Sequence, residues 1–339
     1  MRWKHRPEGS NWGDFGKDDQ LGRLNLLTPE RRLAAVREVC EGIAFPLSLP
    51  LDFPGGANLI PSRRPPLIEA TIRATGEISY NYAFSRSIPL ACDVVSDDKV
   101  TIWTQYSTQW DSLAHWGQEF DADGDGVAEI VYYNGYRAGT DVLGVDDPGG
   151  PFARKLGLET VAETCMQGRG VMVDLAALHG QEHVRVGFDG LMQALERQKL
   201  AVRPGDILCL YTGWADLVLA MNKQPDFDRL RFACPILDGN DKALLQWITD
   251  SGIVAICADN LGVESVTLSP RIGVLHKHSM MPLHEHCLFK QGIFLGEMWY
   301  FGQLAAWLRE HQRSSFLLTA PPLRLPGAVG SPPMPVATV

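Results

Sequence analysis

Residues 105–116 read Gln-Tyr-Ser-Thr-Gln-Trp-Asp-Ser-Leu-Ala-His-Trp, and among them Gln105, Gln109, Asp111 and His115 carry groups that hold a cation or move a proton. An Asp and a His four apart also serve to cap a helix or close a core hydrogen bond, so this stretch alone does not define a site. A second cluster changes its meaning. His276, His278, His284, Glu285, His286 and Glu297 follow downstream, with four of the nine histidines inside eleven positions. Asp, Glu and imidazole supplied from two strand ends suit a hard-to-borderline divalent metal. Trp110, Trp116 and Tyr133 lie near Asp111 in the chain and are candidates for contact with a flat substrate ring; packing in the core would explain the same aromatic cluster. Asp121-Ala-Asp-Gly-Asp-Gly126 has the first half of a calcium loop, but Tyr132 stands at the twelfth position, where such a loop needs a bidentate Glu. A surface acidic turn is expected there.

The elements that must carry these groups are predicted from local pattern. Val100–Trp103 reads as a strand leading into the 105–116 stretch, and Pro282–Gln291 as a helix stopped by Gly292 before a strand over Ile293–Leu295. That places His284 at a helix start and Glu297 just beyond a strand end. Thr28 caps a helix that opens at Pro29, and short β-type runs follow at Phe45–Leu49 and Ile68–Ile78. From residue 158 helices and strands alternate: a helix over Leu158–Gln167, strands at Val171–Leu175, Ile207–Tyr211 and Ile253–Ala258, and helices capped by Asp189 and Asp241. Asp259 and Glu264 follow the last of these strands, where open α/β sheets place ligand contacts. Residues 8–28, rich in Gly, Asn and Asp, form an irregular arm that must lie on something else to be ordered. The segment 321–339 holds six prolines in nineteen residues and is expected to be an extended tail, neither helix nor inner strand.

Composition narrows the functional class. With 339 residues, 45% hydrophobic and 21% charged, the chain buries a sizeable core. The net charge of −9 and the scattered basic residues predict no nucleic-acid partner. No apolar run is long enough to span a membrane, and none follows the basic start as in a leader. Seven well-separated cysteines without a Cys-x-x-Cys pair read as buried reduced thiols of a cytoplasmic protein. No glycine-rich nucleotide fingerprint accompanies any strand.

In this order and over nearly the whole length, the motifs resemble the cyclase family of metal-dependent hydrolases, which includes bacterial kynurenine formamidase and isatin hydrolase. The resemblance rests on Asn11-Trp12-Gly13 through Leu21–Glu30, on Thr108-Gln-Trp-Asp-Ser-Leu-Ala-His115, on Pro204-Gly-Asp206 and Thr212-Gly-Trp214, and on His284 to Glu297. It implies an α/β fold with a swivelling β/β/α domain and mixed sheet, a single domain over 1–320 with an amino-terminal arm (1–28), and a tail over 321–339. It also implies a homodimer or homotetramer, with the arm or the tail crossing between subunits. The family signature is His-x-Gly-Thr-His-x-Asp-x-x-x-His. There the first two His and the Asp hold one metal, the Asp bridges to a second held by a later His and Glu, and the last His transfers a proton. Asp111, His115, His284 and Glu297 match in kind, whereas Gln105, Gln109 and Ser107 replace the two ligand histidines and the Gly. Amide oxygens are poor zinc ligands, so the resemblance implies one divalent ion per chain, Mn²⁺ or Zn²⁺, held by Asp111, His284 and Glu297 with help from Gln109 and Gln105. The implied activity is hydrolysis of a C–N bond in a small cyclic or aryl amide, with His115 as general acid/base. A lactonase, dehydratase or cyclase of secondary metabolism is the alternative on the same fold. A non-catalytic binder of a small aromatic ligand is the alternative outside catalysis.

Overall fold

Nine strands form the main sheet of the computed structural model, which describes residues 2–57, 59–265 and 278–339. In chain order they are β1 (Ala44–Pro46), β2 (Gln109–Asp111), β3 (Gln167–Asp174), β4 (Ile207–Tyr211), β5 (Ala255–Ala258), β6 (Phe294–Glu297), β7 (Ser315–Thr319), β8 (Gly330–Ser331) and β9 (Val336–Thr338). Their order across the sheet is β1-β9-β7-β3-β4-β5-β6-β2-β8. β3 to β6 are parallel neighbours, and antiparallel strands close both flanks. Burial on both faces explains why β4 and β5 read as continuous apolar runs without alternation. The fold is thus α/β with a mixed sheet, as expected.

Helix boundaries follow capping chemistry. α1 (Pro29–Val36) starts at Thr28, whose hydroxyl accepts from the Arg31 amide at 3.4 Å. α2 (Phe188–Arg197), α3 (Trp214–Ala220), α4 (Lys242–Ser251) and α5 (Gly302–Glu310) follow. Asp189 lies inside the first turn of α2 and does not cap it. The cap comes from Asp241, which accepts from the Phe188 amide at 2.7 Å and from the Ala243 amide of its own helix at 2.8 Å. The helix expected over Leu158–Gln167 stops at Glu163, because Gln167 and Gly168 already pair with Thr319 and Leu318 of β7.

Three larger expectations are overturned. The proline-rich tail supplies β8 and β9, and β9 is an inner strand paired with β1 on one side and β7 on the other. Of its six prolines, Pro321, Pro322 and Pro326 precede β8, and Pro332, Pro333 and Pro335 fall between β8 and β9, which leaves the paired positions to Val336, Ala337 and Thr338 with their N–H groups. The strand before residue 105 is an exposed ribbon over Asp98–Thr101 that pairs with Leu67–Ala70, outside the main sheet. Cys40, Cys92 and Cys165 are exposed, whereas Cys209, Cys234, Cys257 and Cys287 are buried.

The amino-terminal arm lies on its own chain. Trp12 is buried and donates to the Phe289 carbonyl at 2.7 Å, and the Arg23 guanidinium reaches Gln291 and the end of α4. Burial of a ring of that size stabilises by roughly 3–5 kcal/mol. Gly22 and Gly292 meet backbone to backbone: a Cβ on Gly22 would fall 2.3 Å from the Gly292 carbonyl oxygen, and both residues have positive φ. Asn134 of the Asn-Gly turn accepts from the Gly13 amide and donates to carbonyls of residues 16 and 19, which pins the arm. The arm therefore braces the segment Pro282–Gln291. No helix among the described residues is long and apolar enough to cross a membrane.

Candidate metal centre

The 105–116 stretch meets the 284–297 stretch because β2 pairs antiparallel with β6, with Gln109 opposite Glu297 and Asp111 opposite Leu295. Alternation along β2 sends Gln109 and Asp111 to one face and Trp110 to the other. Trp110 is fully buried against Trp299, ring centroids 4.9 Å apart, and donates to the Ala320 carbonyl; it is a core residue and does not line the site. Tyr133 is likewise buried away from the cluster, its ring against Gly292 under the arm. Burial, with Asp19 and Asp14 nearby, pushes its phenol far above the ordinary range. Trp116 does reach the site, 5.2 Å from the His284 ring in an edge-on contact.

His284 stands on a short helix, Pro282–His284, that widens into a π-helix over Glu285–Gln291 and ends at Gly292. Such widened turns recur at functional sites. Glu297 is the last residue of β6. One ligand atom from each of Asp111, His284 and Glu297 lies within 4.8 Å of the other two, and all three residues are buried. Of the remaining members of the downstream cluster, Glu285 pairs with Lys290 and His286 faces Thr249 of α4. Burial pushes His286 down to about 4, so it stays neutral and outside the site. His276 lies outside the described residues.

Both glutamines turn their amide nitrogens to the carboxylates. Gln105 Nε2 is 3.1 Å from Asp111 Oδ1 and 2.7 Å from His115 Nδ1. A carboxylate only accepts, so that amide orientation is determined, and its second hydrogen points to His115 Nδ1. The neutral imidazole then carries its proton on Nε2, which lies 3.8 Å from Asp111 Oδ1. Gln105 thus links Asp111 to His115 and presents no oxygen between them. Gly330 of β8 allows this, since a Cβ there would fall 2.6 Å from the Gln105 side chain. Gln109 Nε2 sits 3.2 Å from Asp111 Oδ1 and 3.1 Å from Glu297 Oε2, holding two carboxylates together, while its Oε1 is buried without a partner.

Glu264, which the sequence marks only by its place beyond a parallel strand end, belongs to this constellation. Its carboxylate accepts from the amides of Leu283 and His284, at 3.0 and 2.8 Å, and meets His284 Nδ1 at 2.9 Å. His284 Nε2 lies 3.2 Å from Glu297 Oε1. Burial alone would lower the imidazole's affinity for a proton, but the hydrogen bonds it donates to Glu264 and Glu297 outweigh it and raise its pKa to about 10. Two buried carboxylates, Glu264 and Glu297, thus meet His284, and the third, Asp111, lies 3.8 Å from His115 Nε2. A carboxylate behind a histidine, with the second ring nitrogen free to face a ligand, is the usual support of a metal-binding imidazole. The surplus negative charge, the donor set and the orphaned amide oxygen of Gln109 all fit a divalent cation.

The acidic turn is a separate surface feature. Asp121 accepts from the amides of Gly124, Asp125 and Gly126, and Arg137 bridges Asp123 and Glu129.

Comparison with known proteins gives concordant results. The sequence matches the model of the Cyclase family, described as "Putative cyclase", over residues 46–265. Curated proteins yield no match. A solved structure described as a novel cyclase is 30% identical, with 97% of this chain and 99% of that one covered and a TM-score of 0.75. Isatin hydrolase A from Labrenzia aggregata, solved with benzyl benzoate, is 14% identical over 93% of this chain and 98% of its own, with a TM-score of 0.55. Isatin hydrolase A from Ralstonia solanacearum is 16% identical over 91% and 97%, also at 0.55. These two share the fold.

Proposed function

Because the chain belongs to the cyclase family of enzymes, we propose that it is a metal-dependent hydrolase that opens or cleaves a C–N bond in a small cyclic or aryl amide. The observation that carries this reading is the buried Asp111–His284–Glu297 cluster, beside which the Gln109 amide oxygen has no partner. Asp111, Glu297 and His284 Nε2 would hold one divalent ion, and Gln109, whose Nε2 meets both carboxylates, would add its Oε1 as a neutral donor only after its amide turns over. An oxygen-rich set of this kind favours Mn²⁺ over Zn²⁺. When bound, the ion supplies Lewis acidity, polarising a carbonyl and lowering the pKa of water.

The chain's own groups do the rest. Glu264 fixes the His284 ring through Nδ1, so Nε2 faces the cluster. His115, half-buried at the rim, would pass the proton it carries on Nε2 to the leaving nitrogen and regain one from water, while Gln105 holds its ring through Nδ1. Trp116 offers an aromatic edge beside His284 for a flat substrate. Isatin, the substrate named for the isatin hydrolases of this fold, and simple aryl formamides are the first compounds to assay.

The test is hydrolysis of these compounds in ¹⁸O-labelled water, with metal content measured on the same preparation. The expected outcome is one labelled oxygen in the carboxylate product, about one metal per chain, and loss of both in His284→Ala. Unlabelled product would shift the reading to a cyclase or dehydratase. Absence of bound metal after purification and after reconstitution would shift it to a non-catalytic binder.

A further inference from the structure

An open cleft of about 720 Å³ lies beside β3, between the end of α2 and the end of α5. Its position follows from the sheet. β7 pairs with β3 only as far as Ser315 opposite Val171, and the Met172 amide donates to the Ser314 carbonyl before the two strands part. Gln198 closes the vacated edge. Its Oε1 accepts from the Asp174 amide at 3.0 Å, and its Nε2 donates to the Met172 carbonyl at 3.2 Å. The metal centre on β2 and β6 is a different place: β4 and β5 stand between β3 and β6, and three strand spacings amount to roughly 14 Å.

The cleft gathers charge of the sign that the chain as a whole lacks. Arg169, Arg197, Lys199, Arg203, Arg309 and Arg313 line it, with Asp174 as the one acidic lining residue, although acidic residues outnumber basic ones 40 to 31 in the chain. Three of these cations are engaged in the fold. Arg169 bridges Glu38 and Asp206, Arg309 pairs with Asp174, and Arg313 donates to the Glu38 and Ser315 carbonyls. Arg197, Lys199 and Arg203 are exposed, and among the described residues none of them forms an ion pair. Arg197 stands in the last turn of α2, where its charge suits the carbonyl end of the helix. Arg203 lies near Asp206, whose carboxylate Arg169 already holds. Met172, Leu200, Ala305 and Leu308 add an apolar part to the lining.

We propose that this cleft is a second binding site, for a small organic molecule that carries a phosphate on a flat apolar body. Three cations outside any ion pair suit a group of more than one negative charge, and guanidinium forks match phosphate oxygens. A single carboxylate would answer only one of the three. The apolar lining supplies the contact for the body, and a cleft of this volume is of the size that holds small molecules.

The test is isothermal titration calorimetry of the full chain with 1-naphthyl phosphate, inorganic phosphate and 1-naphthol, at low and at high salt. The ester should bind saturably with a Kd below about 1 mM, more tightly than either of its fragments, and more weakly as salt rises. Arg197→Gln with Lys199→Asn should weaken it by about tenfold or more. Gln suits a helix, and Asn tolerates the positive φ of position 199. Absence of saturation, undiminished affinity in the double variant, or inorganic phosphate binding as tightly as the ester overturns the proposal. So does loss of binding in His284→Ala, which would put the ester at the metal centre. Should the double variant not fold, hydrogen exchange of the wild type decides. The ester should slow exchange at amides of 197–203 and 312–315, and slowing confined to 105–116 and 284–297 rejects the cleft as its site.

Discussion

His115 and Asp111 lie 3.8 Å apart, too far for a hydrogen bond, and the Gln105 amide spans them. His115 therefore stands beside the Asp111–His284–Glu297 group and outside it. His115→Ala should lower turnover by roughly two to four orders of magnitude while leaving metal content unchanged. Metal analysis of the variant checks this, and loss of metal would make His115 a ligand. The two glutamines support a second prediction. Both amides contact Asp111, so imidazoles at these positions would stand beside a carboxylate able to bridge two ions. Gln105→His with Gln109→His should raise bound zinc toward two per chain. A stoichiometry that stays at or below one would mean that the space around residues 105–111 no longer admits a second ion.

At the scale of elements, the strand ends of the parallel core carry polar residues that join one element to the next. Asp259 follows β5, is wholly buried and accepts from the Thr212 amide, the Thr212 hydroxyl and the Gly213 amide, so it holds the turn from β4 into α3. Burial outweighs those three donors and raises its carboxyl to about 7. In the unfolded chain it ionises near 4. Between about pH 4 and pH 7 the folded state keeps a proton that the unfolded state has lost, so this group makes stability fall as pH rises through that window. The slope is at most about 1.4 kcal/mol per pH unit. Asp259→Asn removes it, and the difference between wild-type and variant melting curves should vary with pH between about 4 and 7 and level off above. A difference that is constant across the window would show that Asp259 is ionised in the fold.

For the molecule as a whole, the carboxyl-terminal residues close one side of the sheet. β9 is held by β1 and β7 at once, and Ala337 and Val339 are fully buried in the main core. Truncation after Pro335 would unpair β1, uncover the β7 edge and expose apolar surface. The truncated chain should lose its cooperative thermal transition and aggregate, as light scattering during heating would show. A truncated protein that melts as the full chain does would make β9 dispensable.

The central α/β layering was legible in the sequence, because β4 and β5 are buried on both faces and their side chains had to be apolar throughout. Asp241 as a cap was legible too, since it acts on backbone groups within a few residues. The chemical cluster was legible in kind, because Asp, His and Glu are costly to bury without a purpose. Which face each residue took was decided only by the register of β2 against β6, and that sent Trp110 to the core and Gln109 to the site. Glu264 became a site residue only when Pro282–Gln291 folded over it, and the glutamine amides showed their donor role only once two carboxylates stood within reach. The tail misled because proline content describes a whole segment, whereas pairing depends on the three residues that keep their N–H groups. The exposed ribbon face of 67–103 has the alternation of a buried strand, and only the tertiary structure showed that none of the described residues covers it.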